Sequence, residues 1–241
     1  MKICAISDVH EQFRTLTYKI KDCDVLVCSG DITYIGDVQV LEDFNKWIVE
    51  LKKLGTIKHC VACPGNHDKT FQQKLYNHSL SQWTSRAEKI HERAMESVKD
   101  YHLLIDQEVV IDNIKFYGTP WTPVFGGGWS FQLYDNNDKI KYYDLVPKDV
   151  DVWLGHGPPF GVNDLVQTGY TDKWDRVYKN AGCDVLLKYI EQIKPKYFVC
   201  GHLHLEENHT PVKLECGTIV VNAAICNEQY DPIQEPIYFE V

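Results

Sequence analysis

Apolar positions in this chain come in short runs, and each run stops at a polar cluster. "KICAIS" gives way to "DVH", "DVLVCS" to "GD", "IKHCVAC" to "PGNHD", "DVDVWL" to "GHGPP" and "PKYFVC" to "GHLH". Runs of this length, rich in Val, Ile, Phe and Cys, predict strands buried on both faces. Longer segments between them carry helical spacing. "DVQVLEDFNKWIVELKKLG" places Val40, Leu41, Phe44, Trp47, Ile48, Leu51 and Leu54 on one face, and Gly55 ends the helix. "NAGCDVLLKYIEQIKP" does the same with Val185, Leu186, Tyr189, Ile190 and Ile193, stopping near Pro195. "SQWTSRAEKIHERAMESVKDY", residues 81–101, predicts a more polar surface helix. "QEVVIDNIKFYG" predicts a hairpin around Asp112-Asn113, and the C-terminal stretch reads as strands. Together these predict one compact α/β domain over residues 1–241, layered, with mixed sheets.

Composition narrows the partners. The chain has 241 residues and a formal charge of −9, which argues against a broad basic surface for nucleic acid or anionic membrane. An acidic chain that handles phosphates needs a positive centre, and metal ions are one source. Nine cysteines, an odd number scattered through apolar runs, predict buried free thiols in a reducing compartment. Cys60 and Cys63 form a C-x-x-C pair, read here as part of a buried strand because no second pair completes a four-thiolate site. The opening "MKICAIS" lacks the regions of a secretion signal, and no apolar run approaches membrane-spanning length. A soluble, cytoplasmic protein without a membrane partner is expected; the pattern does not specify its oligomeric state.

Every polar cluster falls at the C-terminal end of a predicted strand, which is where open α/β sheets bind ligands. Asp8, His10, Asp31, Asn66, His156, His202 and His204 form a nitrogen and oxygen donor set without thiolate, suited to Mn²⁺, Fe²⁺/Fe³⁺ or Zn²⁺. So many ligands exceed one tetrahedral site and suit two divalent ions sharing a carboxylate, about 3.5–4 Å apart. The alternation in "DVH" and "HLH" predicts extended backbone, with both outer side chains on one side.

These blocks carry a resemblance. "DVH" (8–10), "GDITYIG" (30–36), "GNHD" (65–68), "GH" (155–156) and "GHLH" (201–204) match, in order, the pattern of the calcineurin-like metallophosphoesterases. The segments "YGTPWTPVFGGGWSF", "GHGPPFGVNDL" and "GCDVLLKYI" are similar to the branch that includes brain-type metallophosphoesterase-domain proteins and class III phosphodiesterases. The resemblance implies a four-layer αββα sandwich with two mixed β-sheets and a dimetal site at its rim. It implies that Asp8, His10 and His204 hold one metal, that Asn66, His156 and His202 hold the other, and that Asp31 bridges them. A water or hydroxide between the metals would attack phosphorus, and His67 is left as the catalytic, non-ligand imidazole. Asp68 reads as a helix cap.

The chain also departs from the family pattern. Protein phosphatases of this family carry an acidic residue and an Arg where this chain has Tyr34 and Ile35, and often a Gly where it has Glu11. A phosphate monoester carries about two negative charges near neutral pH. A site without that Arg is expected to favour the less charged diesters, so a small, nucleotide-type phosphodiester is the expected substrate. The alternatives are a phosphomonoesterase or nuclease of the same fold, or a metal-retaining interaction scaffold with weak activity. The absence of a basic stripe counts against an extended nucleic-acid surface. The loop "PWTPVFGGGWSFQ" offers Phe125 and Trp129 as substrate contacts, with glycines that let backbone approach a ligand. Asn163 and Asp164 are expected near the site without a catalytic role.

Overall fold

The computed structural model describes residues 1–72, 85–171 and 173–241. The chain runs through β1 (Lys2–Ile6), β2 (Cys23–Cys28), α1 (Val38–Lys53), β3 (Ile57–Ala62), α2 (Ser85–Glu96), β4 (His102–Leu103), β5 (Gln107–Ile111) and β6 (Ile114–Thr119). It continues through β7 (Thr122–Pro123), β8 (Gln132–Leu133), α3 (Asn136–Tyr143), β9 (Val152–Gly155), β10 (Leu165–Tyr170) and β11 (Arg176–Asn180). It ends with α4 (Asp184–Ile193), β12 (Tyr197–Cys200), β13 (Val212–Lys213), β14 (Ile219–Asn222) and β15 (Ile237–Glu240).

Two mixed sheets stack face to face. One has the order β15-β1-β2-β3-β4 and the other β13-β14-β12-β9-β6-β5. Alternation along the strands divides their side chains between layers. Cys4, Ile6, Leu26, Cys28, Cys60 and Ala62 face α1 and α2, while Ile3, Ala5, Val25, Val27, Val61 and Cys63 face the second sheet. On that sheet Val152, Leu154 and Val199 look inward, and Trp153, Phe198 and Cys200 look out onto α3 and α4. The result is the expected αββα sandwich. Cys60 and Cys63 lie on opposite faces of their sheet, so the C-x-x-C spacing brings no thiol pair together. Among the described residues all nine cysteines are free, and Cys216 alone is not buried.

Helix α1 starts at Asp37, whose carboxylate accepts the backbone N–H of Gln39 at 2.8 Å. It buries Val38, Leu41, Phe44, Trp47, Ile48 and Leu51. Leu54, expected on that face, is 61% exposed, because the helix has ended and Gly55 turns at φ +74°. The polar helix expected over residues 81–101 is described from Ser85 and ends at Glu96; residues 81–84 lie outside the described residues. Asp112 and Asn113 both take positive φ, 48° and 66°, as a tight hairpin between β5 and β6 requires. Among the described residues no helix is long and apolar enough to cross a membrane.

Strands β1, β2 and β3 run parallel in the first sheet, and β6, β9, β12 and β14 run parallel in the second. The polar clusters following β1, β2, β3, β9 and β12 meet at one rim of the sandwich. The meeting is made by hydrogen bonds between loops: Asp8 N–H to the Gly30 carbonyl at 2.9 Å, His10 N–H to Asp31 at 3.0 Å, and Gly201 N–H to His156 at 2.9 Å.

Candidate metal centre

The ligand-bearing loops are not extended. Asp8, His10 and Asp31 sit at φ of 50°, 36° and 52°, and His202 at 69°. The alternation in "DVH" and "HLH" therefore does not describe strand geometry, contrary to the expectation. The loops after β1, β2 and β12 thus turn through the left-handed region close to the ends of their strands. Such backbone is uncommon for residues with a Cβ and costs energy that the loop contacts must offset. Glycines permit the close packing: a Cβ on Gly65 would collide with the Asp31 carboxylate, and one on Gly201 with that of Asp8.

The side chains form adjacent clusters. Asp8, His10 and His204 offer ligand atoms within 4.8 Å of one another, and so do Asp31, His156 and His202. His204 Nε2 lies 2.9 Å from Asp8 Oδ1 and 3.4 Å from His10 Nε2. His156 Nε2 lies 2.9 Å from Asn66 Oδ1 and 3.3 Å from Asp31 Oδ2. His10 Nε2 is 3.9 Å from Asp31 Oδ2, so Asp31 stands between the clusters. All seven candidate ligands are thus brought together, and a third group within the same reach, His10, Asp31 and His67, takes in His67 as well.

The donor chemistry fits divalent cations. Asp8 and Asp31 are buried, and among the described residues no Lys or Arg pairs with either. Histidines alone supply compensating charge. Burial raises the Asp8 carboxyl, but the His204 hydrogen bond and the nearby imidazoles take it well below the carboxylate range. Asp31 is likewise lowered: burial opposes ionisation and His156 overrides it. Burial disfavours charge on His156, yet the Asp31 carboxylate raises it to about 9. Burial lowers His10 to about 4 and His202 to about 3, so both present neutral lone pairs. The buried His10 Nδ1 has no hydrogen-bond partner. His156 and His204 engage the carbonyls of Ser29 and Asn227 through Nδ1, at 2.9 and 3.0 Å, which fixes Nε2 toward the cluster.

His67 stands beside this group. Its backbone N–H donates to Asp31 Oδ1 at 2.8 Å, and its ring packs edge-on against His10, 4.7 Å between centroids. Its Nδ1 donates to the backbone carbonyl of Tyr34 at 2.5 Å, and Nε2 is left 3.9 Å from Asp31 Oδ2. A peptide carbonyl, rather than a side chain, thus orients the imidazole. Asp68 corrects an expectation. It makes no side-chain cap to the short 3₁₀ turn that follows it. Its fully buried carboxylate accepts N–H groups from Gly65, Ile32 and Thr33 at 2.9, 3.2 and 2.9 Å, tying the "GD" loop to the "GNHD" loop. Burial and the charge of Asp31 push it up to about 6.

Phe125 and Trp129 both line a cavity of about 500 Å³ that opens onto Asp31, Asn66, His67, His202 and His204. Phe125 packs on His202 at 4.7 Å and Trp129 on His67 at 4.2 Å between ring centroids. Asp164 is buried and structural, accepting Gly161 and Gly182 N–H groups at 2.9 and 2.8 Å. Tyr230, unnoticed in the sequence, lines the cavity and meets His10 edge-on at 4.7 Å. Asn222 was also missed; its amide donates to the carbonyls of Gly201 and Leu203 at 3.3 and 3.1 Å and braces the "GHLH" loop. An Asn closing a buried strand is the only trace of it in the sequence.

Comparisons with known proteins agree with this geometry. The sequence pattern of the calcineurin-like phosphoesterases matches residues 1–206. Metallophosphoesterase domain-containing protein 1 of Homo sapiens is 30% identical over 248 residues, spanning 100% of this chain and 71% of the relative, and its Mus musculus counterpart gives the same values. Among solved structures, the phosphopantetheinyl hydrolase of Mycobacterium tuberculosis superimposes with a TM-score of 0.56 at 11% identity, covering 98% of this chain and 95% of its own. TT1561 of Thermus thermophilus superimposes at 0.53 and 12% identity, covering 92% and 88%. At such identities the structures speak for the fold alone. The pattern match, the relatives and the converging Asp and His clusters lead to one assignment: the chain belongs to the calcineurin-like phosphoesterase family.

Proposed function

We propose that the chain is a phosphodiesterase that acts on small, nucleotide-type diesters with two divalent ions. In this reading Asp8, His10 and His204 would hold one ion, Asn66, His156 and His202 would hold the other, and Asp31 would serve both. Bound ions supply an activated water and neutralise charge on the phosphoryl oxygens. The protein's own part is positioning. Asp31 fixes the backbone of His67, and the Tyr34 carbonyl takes its Nδ1 proton in a hydrogen bond. Nε2 is then free, when protonated, to donate to the leaving oxygen as its bond to phosphorus breaks.

One observation carries the diester preference. Beside Asp31 the chain places Tyr34, stacked on His10, and Ile35, 69% exposed, where a dianionic monoester would call for a cation. Lys179, on the β11 wall, is the one Lys or Arg among the described cavity-lining residues. Phe125, Trp129 and Tyr230 offer aromatic surface to a base or other flat arm. The test is hydrolysis of bis(p-nitrophenyl) phosphate and p-nitrophenyl phosphate by Mn²⁺-loaded protein. Diester turnover well above monoester turnover is expected; the reverse order overturns the proposal.

A further inference from the structure

Glu11 follows His10 directly, and its backbone takes the left-handed conformation that suits Gly, φ 69° and ψ −7°. A side chain held in such backbone needs a reason. Here the carboxylate reaches across to the loop after Asp31, and Oε1 accepts the backbone N–H of Tyr34 at 3.3 Å. The same residue's carbonyl accepts Nδ1–H of His67 at 2.5 Å. Glu11 is anchored in turn by its own N–H, which donates to the Ile32 carbonyl at 2.9 Å. The Tyr34 backbone is therefore held at its N–H by Glu11 while its carbonyl holds the imidazole. We propose that Glu11 is a positioning residue for His67, acting through Tyr34.

The inference rests on the catalytic part given to His67 above, so its test has one arm that needs no turnover. Glu11→Gly suits the backbone and removes the carboxylate; Glu11→Gln keeps an oxygen that can accept from Tyr34. In Zn²⁺-loaded protein, His67→Ala identifies the His67 Nδ1–H resonance. That resonance is expected to be sharp and slowly exchanging in the native protein and in Glu11→Gln, and broadened or lost in Glu11→Gly. In kinetics, Glu11→Gly is expected to lower kcat about tenfold for a diester with an alkyl leaving group. The loss should be smaller with a p-nitrophenyl leaving group, KM and metal content should hold, and Glu11→Gln should retain the native rate. In the His67→Ala background Glu11→Gly should change nothing further. An unaltered resonance in Glu11→Gly overturns the inference, as does an equal loss in Glu11→Gln or a further loss without His67. If the native protein turns over no phosphoester, the proposed function fails, and the resonance alone decides the part played by Glu11.

Discussion

Asp31 accepts the backbone N–H of His67 at 2.8 Å through Oδ1, while its Oδ2 lies 3.3 Å from His156 Nε2. One carboxylate thus serves both the Asp and His clusters and the loop carrying His67. The two residues nevertheless separate by substitution. Asp31→Ala is expected to lose metal and activity together. His67→Ala is expected to keep its metal and lose about 10²–10⁴ in turnover. Metal content by plasma emission beside turnover checks this; equal metal loss in both variants contradicts it.

The buried carboxylate of Asp68 takes N–H groups from Gly65, Ile32 and Thr33. Asp68→Ala leaves these donors buried without partners, and a loss of about 3 kcal/mol is expected in urea unfolding. Asp68→Asn keeps one acceptor oxygen and should cost less.

Asp106 predicts a pH dependence remote from the metal centre. Burial pushes its carboxyl up to about 6, against the hydrogen bonds from Trp121 Nε1 at 3.0 and 2.8 Å. Between about pH 4 and 6 the folded protein holds a proton that the unfolded chain has released. The stability tied to that proton is present in full below pH 4 and is lost as pH rises through 6. Asp106→Asn keeps an oxygen for Trp121 and never ionises. It should be the more stable protein at pH 7.5, by at most about 3 kcal/mol, with the gap closing by pH 4. A constant difference in urea midpoints across that range contradicts the assignment.

Chelation tests the electrostatic role of the ions. Asp8 and Asp31 are buried with only imidazoles for compensation, so removing bound divalent ions with EDTA should lower Tm. Binding at 100 times Kd stabilises by about 2.7 kcal/mol, so a drop of roughly 5–10 °C is expected, restored by Mn²⁺ or Zn²⁺. An unchanged Tm argues against tight binding at these clusters.

The convergence of the Asp, Asn and His side chains was readable in the sequence because metal chemistry restricts residue type, and strand ends restrict where such residues can meet. What supports them was not. The carbonyls of Ser29, Asn227 and Tyr34 act through backbone, which carries no side-chain signature. Asp68 looked like a helix cap because its sequence neighbours resemble a helix start, whereas its partners come from residues 32 and 33 of another loop. The left-handed turns at Asp8, His10 and His202 were hidden for a related reason. Alternating residue types describe a strand only while hydrogen-bonded neighbours hold the chain extended, and here the pairing of β1 ends at Ile6 and that of β12 at Cys200.

Each ligand cluster draws on both sheets: Asp8 and His10 follow β1 and meet His204 after β12, while Asn66 follows β3 and meets His156 and His202 after β9 and β12. Neither cluster can therefore be assembled from one half of the polypeptide. A nascent chain that has emerged only as far as β6 carries carboxylates and an amide but lacks three of the imidazoles. Metal capture should accordingly be a late event in biogenesis, awaiting the docking of β12 and β14. A chain truncated before His202 should be metal-free as well as inactive, so bound metal doubles as a record that the sandwich has closed.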